Sequence, residues 1–212
     1  MEEHLVTDQA LAQACALLRA GGVVAFPTET YYGLAVDPFN PAALSRLFAL
    51  KGRSVDKPVL LIVEEPSQLA SLVAEIPPAF TMLMQRFWPG PLTLVFPGAP
   101  SLPELLTGHG STIGVRVSSH PVARQLVRAF GHPITATSAN LSGHPPAVTA
   151  GGVRDQLGPD LDLVLDGGET PGGLGSTILG FQEGKVCLLR PGVISFAEIE
   201  AALAGVKVQE AG

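Results

Sequence analysis

Charge is scarce in this chain. Only 15% of its 212 residues are Asp, Glu, Lys or Arg, where a typical domain carries about a quarter. There are four lysines, two cysteines, two tyrosines and one tryptophan. Mean hydropathy is high at +0.34, yet no apolar run approaches the roughly 18 residues of a membrane-spanning helix. The longest runs, such as Val59–Val63 and Leu92–Phe96, suit buried strands. Glu2, Glu3 and Asp8 precede the first apolar stretch, the wrong polarity for a secretory signal. A cytoplasmic protein without membrane segments is therefore expected. Cys15 and Cys187 stand far apart in apolar surroundings; two buried thiols in a reducing compartment are expected, with a lone disulfide as the alternative. His4, His109, His120, His132 and His144 include no pair at metal-ligand spacing, so no protein-bound metal is expected. There is no P-loop and no G-x-G-x-x-G. Ser138 and Ser142 lack the glycines of a nucleophile elbow, and no His–Asp pair is placed to form a serine triad.

What remains is concentrated. Gly (24) and Pro (19) are abundant without period, which excludes collagen and implies many loops. Net charge is −6, which argues against nucleic-acid binding by bulk electrostatics. The cations nevertheless cluster: Arg46, Lys51, Arg53 and Lys57 in one stretch, Arg116, Arg124 and Arg128 in another. An acidic protein that gathers its cations locally is expected to bind a small anion.

Helices and strands alternate along the chain. Thr7 or Asp8 caps a first helix ended by Gly21-Gly22, and Val23–Phe26 follows as a buried strand. Asn40-Pro41 starts a helix to about Leu50, and Pro58–Val63 is a second strand. Pro66-Ser67 and Pro77-Pro78 open further helical stretches. Leu92–Phe96, Ile113–Val117, Pro133–Ala136 and Leu161–Leu165 read as strands, while His120-Pro121 introduces a helix through Phe130 and another runs from Thr149 or Ala150 to Leu157. Ser176–Gly180 and Lys185–Leu189 suit a hairpin, and Ser195 with Glu198 forms a capping box for a last helix through Leu203. The interleaving points to an α/β layered fold. No linker interrupts it, so one domain is expected over residues 1–212.

The polar segments sit where buried strands end, which is where loops of an α/β sheet converge on ligands. Pro27-Thr-Glu-Thr-Tyr-Tyr-Gly-Leu34 leaves the first strand. Lys51-Gly-Arg-Ser-Val-Asp-Lys57 offers three cations around a glycine, suited to a phosphate. Alternation places Thr112, Gly114 and Arg116 on one face and Ile113, Val115 and Val117 on the other; a glycine beside an arginine suggests an anion brought close to the backbone, with a rim salt bridge as the alternative. Thr137-Ser-Ala-Asn-Leu-Ser-Gly143 is read as leaving backbone N–H groups free for oxyanions. Asp166-Gly-Gly168, Gly172-Gly-Leu-Gly-Ser-Thr177 and Arg190-Pro-Gly192 complete the set.

In this order and at these spacings, the segments resemble the YrdC/Sua5 family of threonylcarbamoyl-AMP synthases over about residues 8–204. The resemblance implies a twisted mixed α/β sheet, with helices on its faces, around a large basic cavity, in a short form without the family's C-terminal Sua5 domain. It implies a nucleotidyltransferase that joins L-threonine, bicarbonate and ATP into threonylcarbamoyl-AMP, releasing pyrophosphate, with Mg2+ on the ATP. A separate transferase complex would then pass the group to N6 of adenosine 37 in tRNA. Residue by residue, Thr30, Arg116 and Ser176 would hold threonine; Lys51, Arg53, Lys57, Thr112, Ser138, Asn140 and Arg190 would hold ATP, with Lys51, Arg53, Ser138 and Asn140 catalytic. The chain departs from the common pattern at Tyr31, Lys57, Ile62, Pro146 and Gly175. Two other readings share the fold: a non-catalytic module binding tRNA or double-stranded RNA, and a paralogue that adenylates another carbamate.

Overall fold

The computed structural model describes residues 6–203, 205–206 and 208–210; His4 lies outside them. Helix α1 (Asp8–Arg19) starts where Thr7 accepts a hydrogen bond from the Ala10 amide. It leads into β1 (Val24–Pro27), which turns back as β2 (Tyr32–Ala35). Helix α2 (Pro41–Lys51) is capped by the Asn40 side chain and ends on Gly52 in the left-handed region. Then come β3 (Leu61–Ile62), a 3-10 turn over Pro66–Ser71, α3 (Pro78–Phe87) and β4 (Leu92–Pro97). The middle of the chain forms α4 (Glu104–Thr107), β5 (Thr112–Arg116), α5 (Pro121–Phe130), β6 (Ile134–Thr135) and β7 (Thr137–Ser138). Helix α6 (Ala150–Leu157) and β8 (Leu163–Val164) precede the hairpin β9 (Thr177–Gln182) and β10 (Lys185–Arg190). Helix α7 (Phe196–Leu203), with its capping box of Ser195 and Glu198, and β11 (Val208–Glu210) close the order.

Two sheets form where the resemblance implied one. Seven strands run β11-β10-β9-β4-β5-β3-β6, and four run β7-β2-β1-β8. Both are mixed: β4 pairs parallel with β9 and antiparallel with β5, and β1 pairs antiparallel with β2 and parallel with β8. Sequence reading missed β2, α4, β7 and β11. β2 lies inside a polar segment, and its partner β7 has only two residues, so neither shows an apolar run.

The period-2 alternation of β1 divides the core. Val23 and Ala25 pack with Tyr32 and Leu34 in the larger apolar cluster. Val24 and Phe26 face the other way, into a cluster built from α1 and α5. Helix α5 joins it through Val122, Ala123, Leu126, Val127 and Phe130, one face of a 3.6-residue period. Burying a side chain such as Leu18 or Phe26 contributes roughly 1.5–3 kcal/mol each, so this second cluster anchors β1 and the polar segment that follows it.

Candidate functional site

Residues of both sheets line a cavity of about 780 Å³, within the size range of small-molecule sites. Its wall carries Arg53, Lys57, Arg116 and Arg190 and no carboxylate. Thr28, Thr30 and Tyr31 come from the β1–β2 connection, Thr112, Gly114 and Arg116 from β5, and Ser138 from β7. Ser176, Ile178, Leu189 and Arg190 come from the β9–β10 side.

The β5 alternation is as read from sequence: Thr112, Gly114 and Arg116 face the cavity while Ile113 and Val115 are core. A Cβ at Gly114 would lie 2.2 Å from Leu60 Cδ2, so the glycine leaves room for Leu60, which also lines the cavity. Arg116 forms a largely buried ion pair, its Nη1 3.0 Å from Glu29 Oε1. The Ser118 hydroxyl donates to the other Glu29 oxygen. The salt-bridge alternative is thus present, though buried and not at a rim, and the paired arginine also lines the cavity.

At the β9 end, Arg190 Nη2 donates to the Ser176 carbonyl at 2.7 Å and to Ser176 Oγ at 3.1 Å. Thr93 Oγ1 lies 2.9 Å from the same hydroxyl. Arg190 reaches this position through a shift in the β9–β10 register between Leu188 and Arg190, an irregularity of the kind that re-aims a side chain. Burial, and the nearby charge of Arg116, lower the affinity of Arg190 for its proton. Gly175 lets the guanidinium come close: a Cβ there would sit 3.1 Å from Arg190 Nη2.

Two tyrosines pin the glycine-rich loop. Tyr31 donates its hydroxyl to Gly173 O and Tyr32 to Gly168 O, both at 2.7 Å. Burial, then the Asp166 charge, push the Tyr32 phenol up to about 12, so it stays a donor. The Thr28 hydroxyl accepts from the amides of Thr30 and Tyr31 and donates to Tyr31 O. This sets the tight turn that presents Thr30.

Lys51 and Asn140 are placed differently from the rest. Neither lines the cavity. Lys51, only 2% exposed, donates to the Ser138 carbonyl, to Asn140 O at 2.8 Å and to Asn140 Oδ1 at 3.4 Å. Asn140 Nδ2 in turn donates to Leu141 O and His144 O. The pair clamps the turn that carries Ser138. Burial without a carboxylate partner, and then the Arg53 charge, bring the lysine down to about 8. Arg53 bonds Pro58 O at 3.0 Å, while its buried Nε has no partner among the described residues.

Other sequence expectations are redistributed. The amides of Ala139, Asn140 and Ser142 donate to Tyr32 O, Ser138 O and Lys51 O, so these three are not free to cradle an oxyanion. Arg46 pairs with Asp162 at 2.7 Å and Arg128 with Glu64 at 2.6 Å, and neither they nor Arg124 line the cavity. Cations close in sequence thus point different ways from their helices. Of the departures from the family pattern, Tyr31, Lys57, Pro146 and Gly175 are on the wall, and Ile62 lies in the α1–α5 cluster. Sequence reasoning missed Glu29, Ser118 and Thr93 as partners of site residues. The one signal for Glu29 was its place between Thr28 and Thr30. Cys15 and Cys187 are free and buried. Among the described residues, no helix is long and apolar enough to cross a membrane.

A family model named Sua5_yciO_yrdC and described as telomere recombination matches residues 16–192. The chain belongs to the Sua5/YciO/YrdC family. Within that family it is 39% identical over 198 residues to the threonylcarbamoyl-AMP synthase of Pyrococcus abyssi, covering 93% of this chain and 58% of the relative. It is 40% identical over 210 residues to the threonylcarbamoyl-AMP synthase of Bacillus subtilis, covering 99% and 61%. The crystal structure of P. abyssi Sua5 complexed with L-threonine superposes with a TM-score of 0.89 over 93% of this chain and 58% of that one, at 39% identity. That of E. coli YciO gives 0.81 at 26% identity over 91% and 94%. The chain thus spans about three-fifths of the length of these P. abyssi and B. subtilis relatives, and its mixed α/β architecture is that of the Sua5/YciO/YrdC structures.

Proposed function

We propose that the cavity is the active site of a threonylcarbamoyl-AMP synthase, forming threonylcarbamoyl-AMP and pyrophosphate from L-threonine, bicarbonate and ATP. The observation that carries this is one wall holding Arg53, Lys57, Arg116 and Arg190 with Thr30, Ser138 and Ser176. It occurs in a chain whose relative, P. abyssi Sua5, has been crystallised with L-threonine. In this reading Thr30, Arg116 and Ser176 receive threonine, and Arg53, Lys57, Thr112, Ser138 and Arg190 receive ATP. Lys51 and Asn140 act by holding the Ser138 turn.

The reaction brings two anions together. Threonine carbamate, made from the amine and bicarbonate with loss of water, attacks the α-phosphorus through a carbamate oxygen and displaces pyrophosphate. Guanidinium and ammonium groups of the wall offset the charge that develops, and positioning supplies most of the rest. In this reading magnesium would come as part of the substrate, MgATP, and would screen phosphate charge beside the Ser and Thr hydroxyls of the wall. The downstream partner is a transferase that passes the threonylcarbamoyl group to N6 of adenosine 37 in tRNA, which places the protein in the cytoplasm.

The test is pyrophosphate release from MgATP across the twenty amino acids, with and without bicarbonate. Release requiring both threonine and bicarbonate supports the reading; release with threonine omitted, or none under any condition, removes it. Arg116→Ala is expected to raise KM for threonine at least about tenfold with KM for ATP nearly unchanged, and Arg53→Ala the reverse, each having lost a charge-assisted contact.

A further inference from the structure

Arg116 and Arg190 lie close enough for the charge of one to affect the other's protonation. Two neighbouring guanidinium groups on a cavity wall would ordinarily make the strongest phosphate site available. Among the described residues only Arg116 has a carboxylate partner. Glu29 sits behind Arg116, outside the cavity wall, with side-chain exposures of 12% and 8% for the two residues. Glu29 Oε1 is buried and receives no aligned hydrogen bond, although Arg116 Nη1 is 3.0 Å away. The contact is thus an ion pair without an aligned hydrogen bond, made by an arginine that also lines the cavity. The other Glu29 oxygen accepts a hydrogen bond from the Ser118 hydroxyl, and Ser118 Oγ accepts from the His120 amide at 3.2 Å. That amide belongs to the cap of α5, since His120 Nδ1 accepts from Val122 N. A buried negative charge is therefore anchored to a rigid helix start. Arg53 and Lys57 have no ion-pair partner among the described residues.

From this we infer that Glu29 is a positioning and specificity residue that divides the cavity by charge. It holds the Arg116 guanidinium in place and offsets its charge, so that Arg116 takes the single carboxylate of an amino acid. The polyanionic phosphates are left to the cations without a carboxylate among the described residues: Arg53 and Lys57, and Arg190, which neighbours Arg116. The inference rests on the proposed reading for the identity of the amino acid, but not for the charge division itself.

The experiment compares wild type, Glu29→Gln and Ser118→Ala. Glu29→Gln keeps the shape and removes the charge; Ser118→Ala only loosens the far oxygen. Threonine and ATP KM values are measured for each, with pyrophosphate and inorganic phosphate as inhibitors. Direct pyrophosphate binding is followed by calorimetry without threonine. Glu29→Gln is expected to raise the threonine KM about tenfold or more, as loss of one member of a buried charge pair does. It should leave the ATP KM within about twofold and make pyrophosphate a competitive inhibitor against threonine. Ser118→Ala should move the same quantities in the same direction by less, and Glu29→Asp should restore part of the threonine KM. Unchanged pyrophosphate affinity and threonine KM in Glu29→Gln would overturn the inference, as would equal losses on the threonine and ATP sides. Should wild type fail to use threonine at all, the functional reading falls, while the calorimetric arm still decides whether Glu29 keeps phosphates from Arg116.

Discussion

Lys51 shows how burial alone changes what a side chain contributes. Its ammonium has three oxygen partners and no carboxylate, and it titrates near 8 instead of 10.5. Below pH 8 both folded and unfolded chains carry the proton, and the folded state bears the full cost of burying it. Between about 8 and 10.5 the unfolded chain keeps a proton that the folded one has released, so stability rises with pH, by about 3 kcal/mol over the window. Tyr32 and Cys15, both pushed up, act in the opposite sense above pH 9, so the measurement is a difference. Urea unfolding at pH 7, 8, 9 and 10 should show the wild-type value climbing relative to Lys51→Met; parallel curves would mean the lysine is solvated. Sequence placed Lys51 with the cations but could not show this, because its spacing from Arg53 says nothing about the carbonyls it meets at Ser138 and Asn140.

Elements deliver these residues through close backbone approaches. The Arg190-Pro-Gly192 segment crosses the start of β9, and a Cβ on Gly192 would lie 2.4 Å from Gly175 O and from Thr177 N. Both are backbone atoms that cannot rotate away. Gly192→Ala is therefore expected to cost about 1–3 kcal/mol in urea unfolding and to pull Arg190 from Ser176, raising the ATP KM. A variant as stable as wild type with unchanged kinetics would contradict that geometry. Most elements were legible beforehand. The caps at Thr7, Asn40 and Ser195 and the apolar face of α5 carry local signals, as does the β9–β10 hairpin. The short strands β2 and β7 carry none, because two to four residues in polar loops become strands only when a partner supplies the hydrogen bonds.

For the whole molecule, the cavity draws residues from β2, β5, β7, β9 and β10 in two different sheets. Ligands that contact both sheets should tie them together. Bound at about a hundred times their Kd, they would stabilise by roughly 2.7 kcal/mol. For a chain of this length that corresponds to a melting-temperature rise of about 5–10 °C. Thermal unfolding with a non-hydrolysable MgATP analogue plus threonine tests this. A rise with the nucleotide but none on adding threonine would remove threonine as the second ligand.

The sequence by itself determined the layered α/β class, the helix starts other than that of α4, the inward and outward faces of β5, and the ordered polar segments that mark the family. Each of these rests on neighbours in the chain: a cap three residues from its amide, or alternation every second residue. Only the tertiary structure decided which cations share a wall and which are paired elsewhere. It moved Arg46 and Arg128 to surface ion pairs and Lys51 behind the Ser138 turn. It also joined Arg116 to Glu29, 87 positions away in the chain, and Arg190 to Ser176. These outcomes depend on distance and dielectric between segments remote in sequence, which no local pattern encodes.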